Sequence, residues 1–300
     1  MVNPMAADPG STVPRRQLGR YLREGRQACN LTLAEAARLM EWSEAMLQRL
    51  ETGKLEKIRT HDVRQLCQLY NLDEEFAAAL AVLAQQAGAK SWYHDYDDLI
   101  PVGFNLYVGL ESSVRAMTTV QPFLVPGLLQ TEEYARTLAC AADPDEDEQQ
   151  VERRVQLKVR RQSLITRKLH PVTLDAVIYE AAVRNIVGGR RVMGAQLRHL
   201  ADMSTLPNIT VRVLPLSAGM PLGELVGPCV ILEFGKDKRG NPIEPSVVYV
   251  ESYLGDIYLE KKQAVERYHR ACGAIADAAL DDVTSRGLLR RVAREYDRER

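Results

Sequence analysis

The chain has 300 residues, a length that fits two domains, with 46% hydrophobic and 26% charged residues. That composition excludes a wholly disordered, collagenous or mini-protein reading. A net charge of −1 and a pI near 6.6 exclude a protein that is basic throughout, so any nucleic-acid role must sit on a local patch.

Residues 1–13, with Pro4, Pro9 and Gly10, read as a flexible arm without the charged start and apolar stretch of a secretion signal. No run of 18 apolar residues exists, so no membrane span is expected. The five cysteines (Cys29, Cys67, Cys140, Cys229, Cys272) are dispersed and never form CxxC, which argues against a disulfide framework or zinc ribbon. A cytoplasmic location is expected.

Residues 14–88 read as a procession of short helices. Leu18 and Leu22 lie on a first helix. Thr32 and Glu35 form a capping box that starts a second, carrying Leu33, Ala36, Ala37 and Met40 at helical spacing. Ser43 caps a third helix, Glu44 to Glu51, with Leu47 and Leu50 pointing one way and Gly53 placed for a left-handed C-terminal turn. Two short helices joined by a tight turn, with the Ala36–Ala37 pair allowing close approach, make a helix-turn-helix. A fourth helix, with Thr60 expected as its cap, adds Val63, Leu66 and Leu69 to the core. Helical spacing alone also fits a plain bundle. Between residues 15 and 64, however, eleven basic residues face seven acids, a surplus of four in a nearly neutral chain.

From about residue 89 helices and strand-like runs alternate, predicting a mixed α/β (α+β) domain over 89–280. The strand candidates are Val172–Tyr179, Ile209–Leu214, Pro228–Phe234, Val247–Val250 and Asp256–Leu259. Phe123–Val125 also reads as strand-like, followed by a Pro126–Gly127 turn and a helix capped by Thr131. Helices are predicted over Glu132–Ala141, Gln149–Thr166, Arg190–Met203 and Lys261–Leu280. Residues 281–300 form an amphipathic C-terminal helix with Leu288, Leu289, Val292 and Tyr296 on one side.

Residues 16–70 resemble the Xre-type helix-turn-helix domain shared with lambdoid phage repressors, through Leu31-Thr32-Leu33, Ala36-Ala37, Ser43 and Arg49-Leu50-Glu51-Thr52-Gly53-Lys54. The resemblance implies an all-α lambda-repressor-like domain in which Arg26 and Glu51 pair internally. It also implies that the third helix enters the major groove with Glu44, Ala45, Met46, Gln48 and Arg49 at base edges. Gln48 suits adenine, Arg49 guanine or a phosphate, and Ala45 a thymine methyl. Thr32, Ser43, Gly53 and Lys54 are the expected phosphate anchors. Glu41 stands where the motif usually has a left-handed glycine, and Glu44 is an anion on the reading helix.

The remainder, through Val125-Pro126-Gly127-Leu128-Leu129-Gln130-Thr131-Glu132-Glu133-Tyr134-Ala135-Arg136 and Trp92-Tyr93-His94, resembles the C-terminal domain of antitoxin-like Xre regulators abundant in actinobacteria. That resemblance implies no settled activity, and it implies a small acidic partner protein. Trp92, Tyr93, His94 and Tyr96 are the candidate ligand or partner residues, with an aromatic hinge as the plainer reading. The histidines and the scattered Glu111, Glu180, Glu233 and Glu251 match no catalytic or metal spacing, so no catalysis, metal or cofactor is expected. The expected function is a homodimeric DNA-binding transcriptional regulator whose C-terminal domain senses a partner protein or small ligand. The alternative is a protein-sequestering module with a vestigial or autoregulatory helix-turn-helix.

Overall fold

The computed structural model describes residues 13–55, 57–88, 93, 96, 98–99, 102–236, 240, 242–252 and 255–298. The chain divides into two compact units, Met1–Ser113 and Val114–Arg300.

The first unit is helical: α1 (Val13–Ala28), α2 (Leu33–Leu39), α3 (Glu44–Glu51), α4 (Thr60–Leu69), α5 (Glu74–Gly88) and α6 (Val102–Glu111). Its core gathers Leu18 and Leu22 of α1, Ala36 and Ala37 of α2, Leu47 and Leu50 of α3, Val63 and Leu66 of α4, and Leu80 and Ala84 of α5. The Thr32 capping box forms in full. Ser43 caps α3 by accepting from the Met46 amide at 3.2 Å. The expected Thr60 cap does not form: Thr60 is already helical, and Arg59 occupies the cap position without a side-chain bond.

Both helices of the motif end in the same way. Gly53, at φ +71, lets its own amide reach Leu50 O and the Lys54 amide reach Arg49 O, satisfying the last carbonyls of α3. After α2 the equivalent left-handed residue is Glu41, at φ +56, with amides of Glu41 and Trp42 closing on Arg38 O and Ala37 O. A side chain there costs about 1–2 kcal/mol, partly offset because glycine is the more entropic residue in the unfolded chain. Glu41→Gly is therefore expected to stabilise the unit by about 0.5 kcal/mol, read as a higher urea midpoint for loss of helix signal.

The second unit is a six-stranded mixed sheet in the order β3-β2-β1-β4-β5-β6, with β1 Ala116–Gln121, β2 Thr173–Tyr179, β3 Ile209–Leu214, β4 Cys229–Glu233, β5 Val247–Val250 and β6 Ile257–Leu259. β1, β2 and β3 run parallel, while β4, β5 and β6 continue antiparallel from β1. Around them lie α7 (Glu132–Ala142), α8 (Glu148–Thr166), α9 (Glu180–Arg184), α10 (Gly189–Met203), α11 (Lys262–Ala278) and α12 (Asp282–Arg298). Val265, Cys272 and Ile275 of α11 pack on Val120, Val177, Ile231 and Val248 of the sheet. The first strand is not the expected Phe123–Val125 but the preceding Ala116–Gln121, and Phe123 is 63% exposed.

The amphipathic C-terminal helix covers a surface as anticipated. Leu288, Leu289, Val292 and Tyr296 of α12 are buried, and the helix lies on α10 and β3. Its approach also blunts the open edge of β3, because the Val213 amide donates to Ser285 Oγ at 2.9 Å and Leu280 donates to Val213 O.

The Val125–Arg136 signature folds as a fixed corner. A 3-10 turn, Gly127–Leu129, follows Pro126, and Thr131 caps α7. Buried Gln130 donates to Val125 O at 2.8 Å. Gln196 of α10 accepts from the Thr131 amide and donates to Leu129 O, both at 2.7 Å. The turn's polar backbone is thus satisfied by its own Gln130 and by Gln196 from α10.

Candidate nucleic-acid interface

α3 has two sharply different faces. Leu47, Leu50 and Glu51 are buried, whereas Glu44, Ala45, Gln48 and Arg49 are exposed and Met46 is half-buried at the boundary. Residues 44, 45, 48 and 49 fall one helical turn apart and share one side of the helix. The five expected base readers therefore occupy the solvent side of α3 and its margin.

The back of α3 is held by charge as well as by packing. Arg26 Nε donates to Glu51 Oε1 at 2.6 Å, and its Nη2 donates to Oε2 at 2.9 Å. Its Nη1 donates to Leu31 O at 2.7 Å. The bidentate hydrogen bonding raises the Arg26 pKa further above its ordinary value. Arg23, half exposed, adds a contact of 3.5 Å to Glu51 Oε2. Burial and the neighbouring Glu51 charge push the Tyr70 hydroxyl well above the ordinary tyrosine range.

The expected phosphate anchors differ in what they can offer. Ser43 and Lys54 are exposed beside the two ends of α3. Gly53 is buried and serves the backbone turn. Thr32 is exposed, but its hydroxyl donates to Glu35 Oε2 at 2.7 Å and accepts from the Glu35 amide at 3.2 Å. The Thr32 amide, donating to Glu35 Oε2 at 2.8 Å, and the Thr32 hydroxyl hold the Glu35 carboxyl below its usual range, so an anionic side chain stands at that position.

The aromatic candidates are described only in part. Tyr93 is buried and Tyr96 half-buried, while Trp92 and His94 lie outside the described residues. The four glutamates weighed as a cluster are spread over separate elements. Glu180, for example, bonds Arg184 at 2.7 Å and the Leu216 amide at 2.9 Å. Among the described residues no group of three or more His, Cys, Asp or Glu side chains is placed to hold a metal ion. No helix among them is long and apolar enough to cross a membrane.

Sequence reasoning missed Gly19 of α1. A Cβ there would meet the Leu50 carbonyl oxygen and lie 2.7 Å from the Glu51 carbonyl oxygen. That bare position sets how closely α3 is seated on α1. A glycine inside a helix carries no local mark of the element it will touch.

Comparison with known families also divides the chain in two, with most of α6 falling in the second match. Residues 17–89 match the family model described as a helix-turn-helix domain, and residues 104–291 match the one described as a domain of unknown function, DUF5753. No curated protein and no solved structure matches the chain. Since the second match spans more than half of the residues, the chain belongs to the DUF5753 family, with a DNA-binding helix-turn-helix domain on its N-terminal side.

Proposed function

We propose that this protein is a transcriptional regulator of the Xre, antitoxin-like type, which lays α3 in the major groove as a homodimer. The observation that carries the reading is the outward face of α3: Ala45, Gln48 and Arg49 are exposed on a helix whose opposite side is fixed by Leu47, Leu50 and Glu51. Two copies are invoked because one small module buries little surface on DNA, and half-sites one turn apart double it. The DUF5753 domain is the element that responds to a partner protein or small ligand. We assign it no catalysis and no cofactor.

The test begins with selection of bound sequences from a random duplex library, using the full-length protein. Affinity for the selected site is then followed by fluorescence anisotropy. A dimer making six or more phosphate contacts loses about 10³-fold in affinity between 50 and 200 mM salt. Arg49→Ala is expected to cost about 1–3 kcal/mol on the selected site and to flatten preference at one base pair, leaving the melting profile unchanged. Absence of any enriched sequence at low salt overturns the proposal.

One observation favours a second reading. Exposed Glu44 puts a negative charge on the first turn of α3, where it repels phosphate unless a cytosine amine is opposite. In that reading the chain captures a small acidic protein, and the helix-turn-helix is vestigial or autoregulatory. Absent or salt-insensitive retention on DNA, together with a tight one-to-one complex with such a partner, distinguishes it.

A further inference from the structure

The sheet has a topological switch point at β1. Sequential parallel strands proceed from it to β2 and β3 on one side, while β4 starts on the other. In open α/β sheets, ligands sit outside the carboxyl ends of the strands at such a point. The register Val120↔Cys229, Cys229↔Val250 and Val250↔Ile257 places Gln121, Glu251 and Asp256 together at that end. The signature corner also begins there, because β1 runs directly into residues 122–130.

Charged groups converge at this end. Lys158 of α8 donates from Nζ to Gln130 Oε1 at 2.8 Å, a neutral partner that leaves its positive charge uncompensated by that bond. One helical turn on, Arg161 is 4% exposed, and a Cβ on Gly127 would lie 3.9 Å from its guanidinium nitrogens. Arg154, on the same side of α8, is taken by Glu146 through two bonds of 2.6 and 2.9 Å. The charge of Glu251 acts on both Lys158 and Arg161. Asp256 accepts from Tyr249 Oη at 2.9 Å. On the segment leaving β1, Phe123 and Leu124 are exposed, giving the opening an apolar lip.

We propose that this end of the sheet binds a small organic anion, a carboxylate or phosphate ester, whose charge takes the place of Glu251 beside Lys158 and Arg161. As the effector of the regulator, the anion rests on the function proposed above; as a bound ligand, it stands on this geometry alone. Burial, with Arg161 and Arg154 nearby, pushes the Lys158 ammonium down to about 8. An anion from solution offsets that cost, and Glu251, exposed on the segment after β5, can turn away from it. Lys158 has two further donor protons to offer it, and the apolar lip accepts its organic part.

The experiment is isothermal titration of the full-length protein with acetate, benzoate, inorganic phosphate and phenyl phosphate, at constant ionic strength in chloride. Saturable one-site binding of at least one anion is expected, tighter for its phenyl form; whichever headgroup binds identifies the chemistry. Lys158→Gln is expected to weaken binding tenfold or more. Glu251→Gln, at an exposed position, is expected to tighten it by about tenfold, the equivalent of one pKa unit. That second variant keeps the test decisive if the first is poorly folded. The proposal fails if no probe saturates wild type or Glu251→Gln, or if well-folded Lys158→Gln binds as tightly as wild type. DNA retention measured on the same samples is judged separately. Its loss with intact anion binding sinks the regulator and spares the anion site, and the converse sinks the anion site alone.

Discussion

Glu51→Ala is expected to destabilise the N-terminal unit by about 3–5 kcal/mol. The Glu51 side chain is 2% exposed and that of Arg26 11%. Removing the carboxylate leaves a guanidinium shielded from water with Leu31 O as its remaining hydrogen-bond partner from this network. The loss measures the cost of an orphaned charge and not the net worth of the pair, which a well-packed apolar pair matches or exceeds. The double variant Glu51→Leu with Arg26→Met should therefore recover most of it. Arg23 rescues little, because its longer contact is made from a half-exposed side chain. Amide hydrogen exchange in α1 and α3 of the full-length protein reads the effect directly, as protection lower by roughly two to four orders of magnitude. Stability within 1 kcal/mol of wild type would show that solvent reaches Arg26. Glu51 thus lies next to the reading residues in sequence and opposite them in role. DNA binding lost in Glu51→Ala reports unfolding, whereas loss in Arg49→Ala reports recognition.

The helix-turn-helix was legible because its signals are local. The capping box at Thr32–Glu35, the Ser43 cap, the leucine spacing and the turn glycine at 53 each act within one or two helical turns, and the folded elements begin and end where they indicate. The same holds for Ile209–Leu214 and Val247–Val250, whose β-branched runs became strands without adjustment. β1 was hidden because Ala116–Gln121 is mostly polar or small. Its two central threonines and Met117 are buried or half-buried only because β2 and β4 flank it. The more apolar Phe123–Val125 drew the assignment instead. Long-range encounters left no trace in spacing. Cys229 and Cys272, dispersed in sequence, come within 4.0 Å of each other between β4 and α11. The Lys158–Gln130 bond likewise exists only because α8 packs on the signature corner.

Gly19→Ala is expected to cost about 1–3 kcal/mol and to weaken DNA binding further than that loss of stability accounts for. Propensity alone favours the change, since alanine in a helix interior is better than glycine by about 0.5–1 kcal/mol. Packing reverses the sign. The new methyl would meet the Leu50 carbonyl oxygen and stand 2.8 Å from the Glu51 carbonyl carbon, and all of these atoms are backbone. No rotamer can relieve the clash, so α3 must move off α1. Its end is pinned there twice, because a Cβ on Gly53 would itself fall 2.8 Å from Arg16 Cα. The displacement carries Gln48 and Arg49 with it, and a bidentate base contact tolerates little misplacement. Gly25→Ala, on the same helix, is the control. There the added methyl lies 3.3 Å from the Leu72 and Tyr70 side chains, which can yield, so the propensity gain roughly cancels the crowding and both stability and DNA affinity stay near wild type. Urea unfolding and anisotropy on the two variants separate the cases. Equal behaviour of Gly19→Ala and Gly25→Ala would mean that α1 does not set the position of α3, and the outward face of that helix would then need another cause.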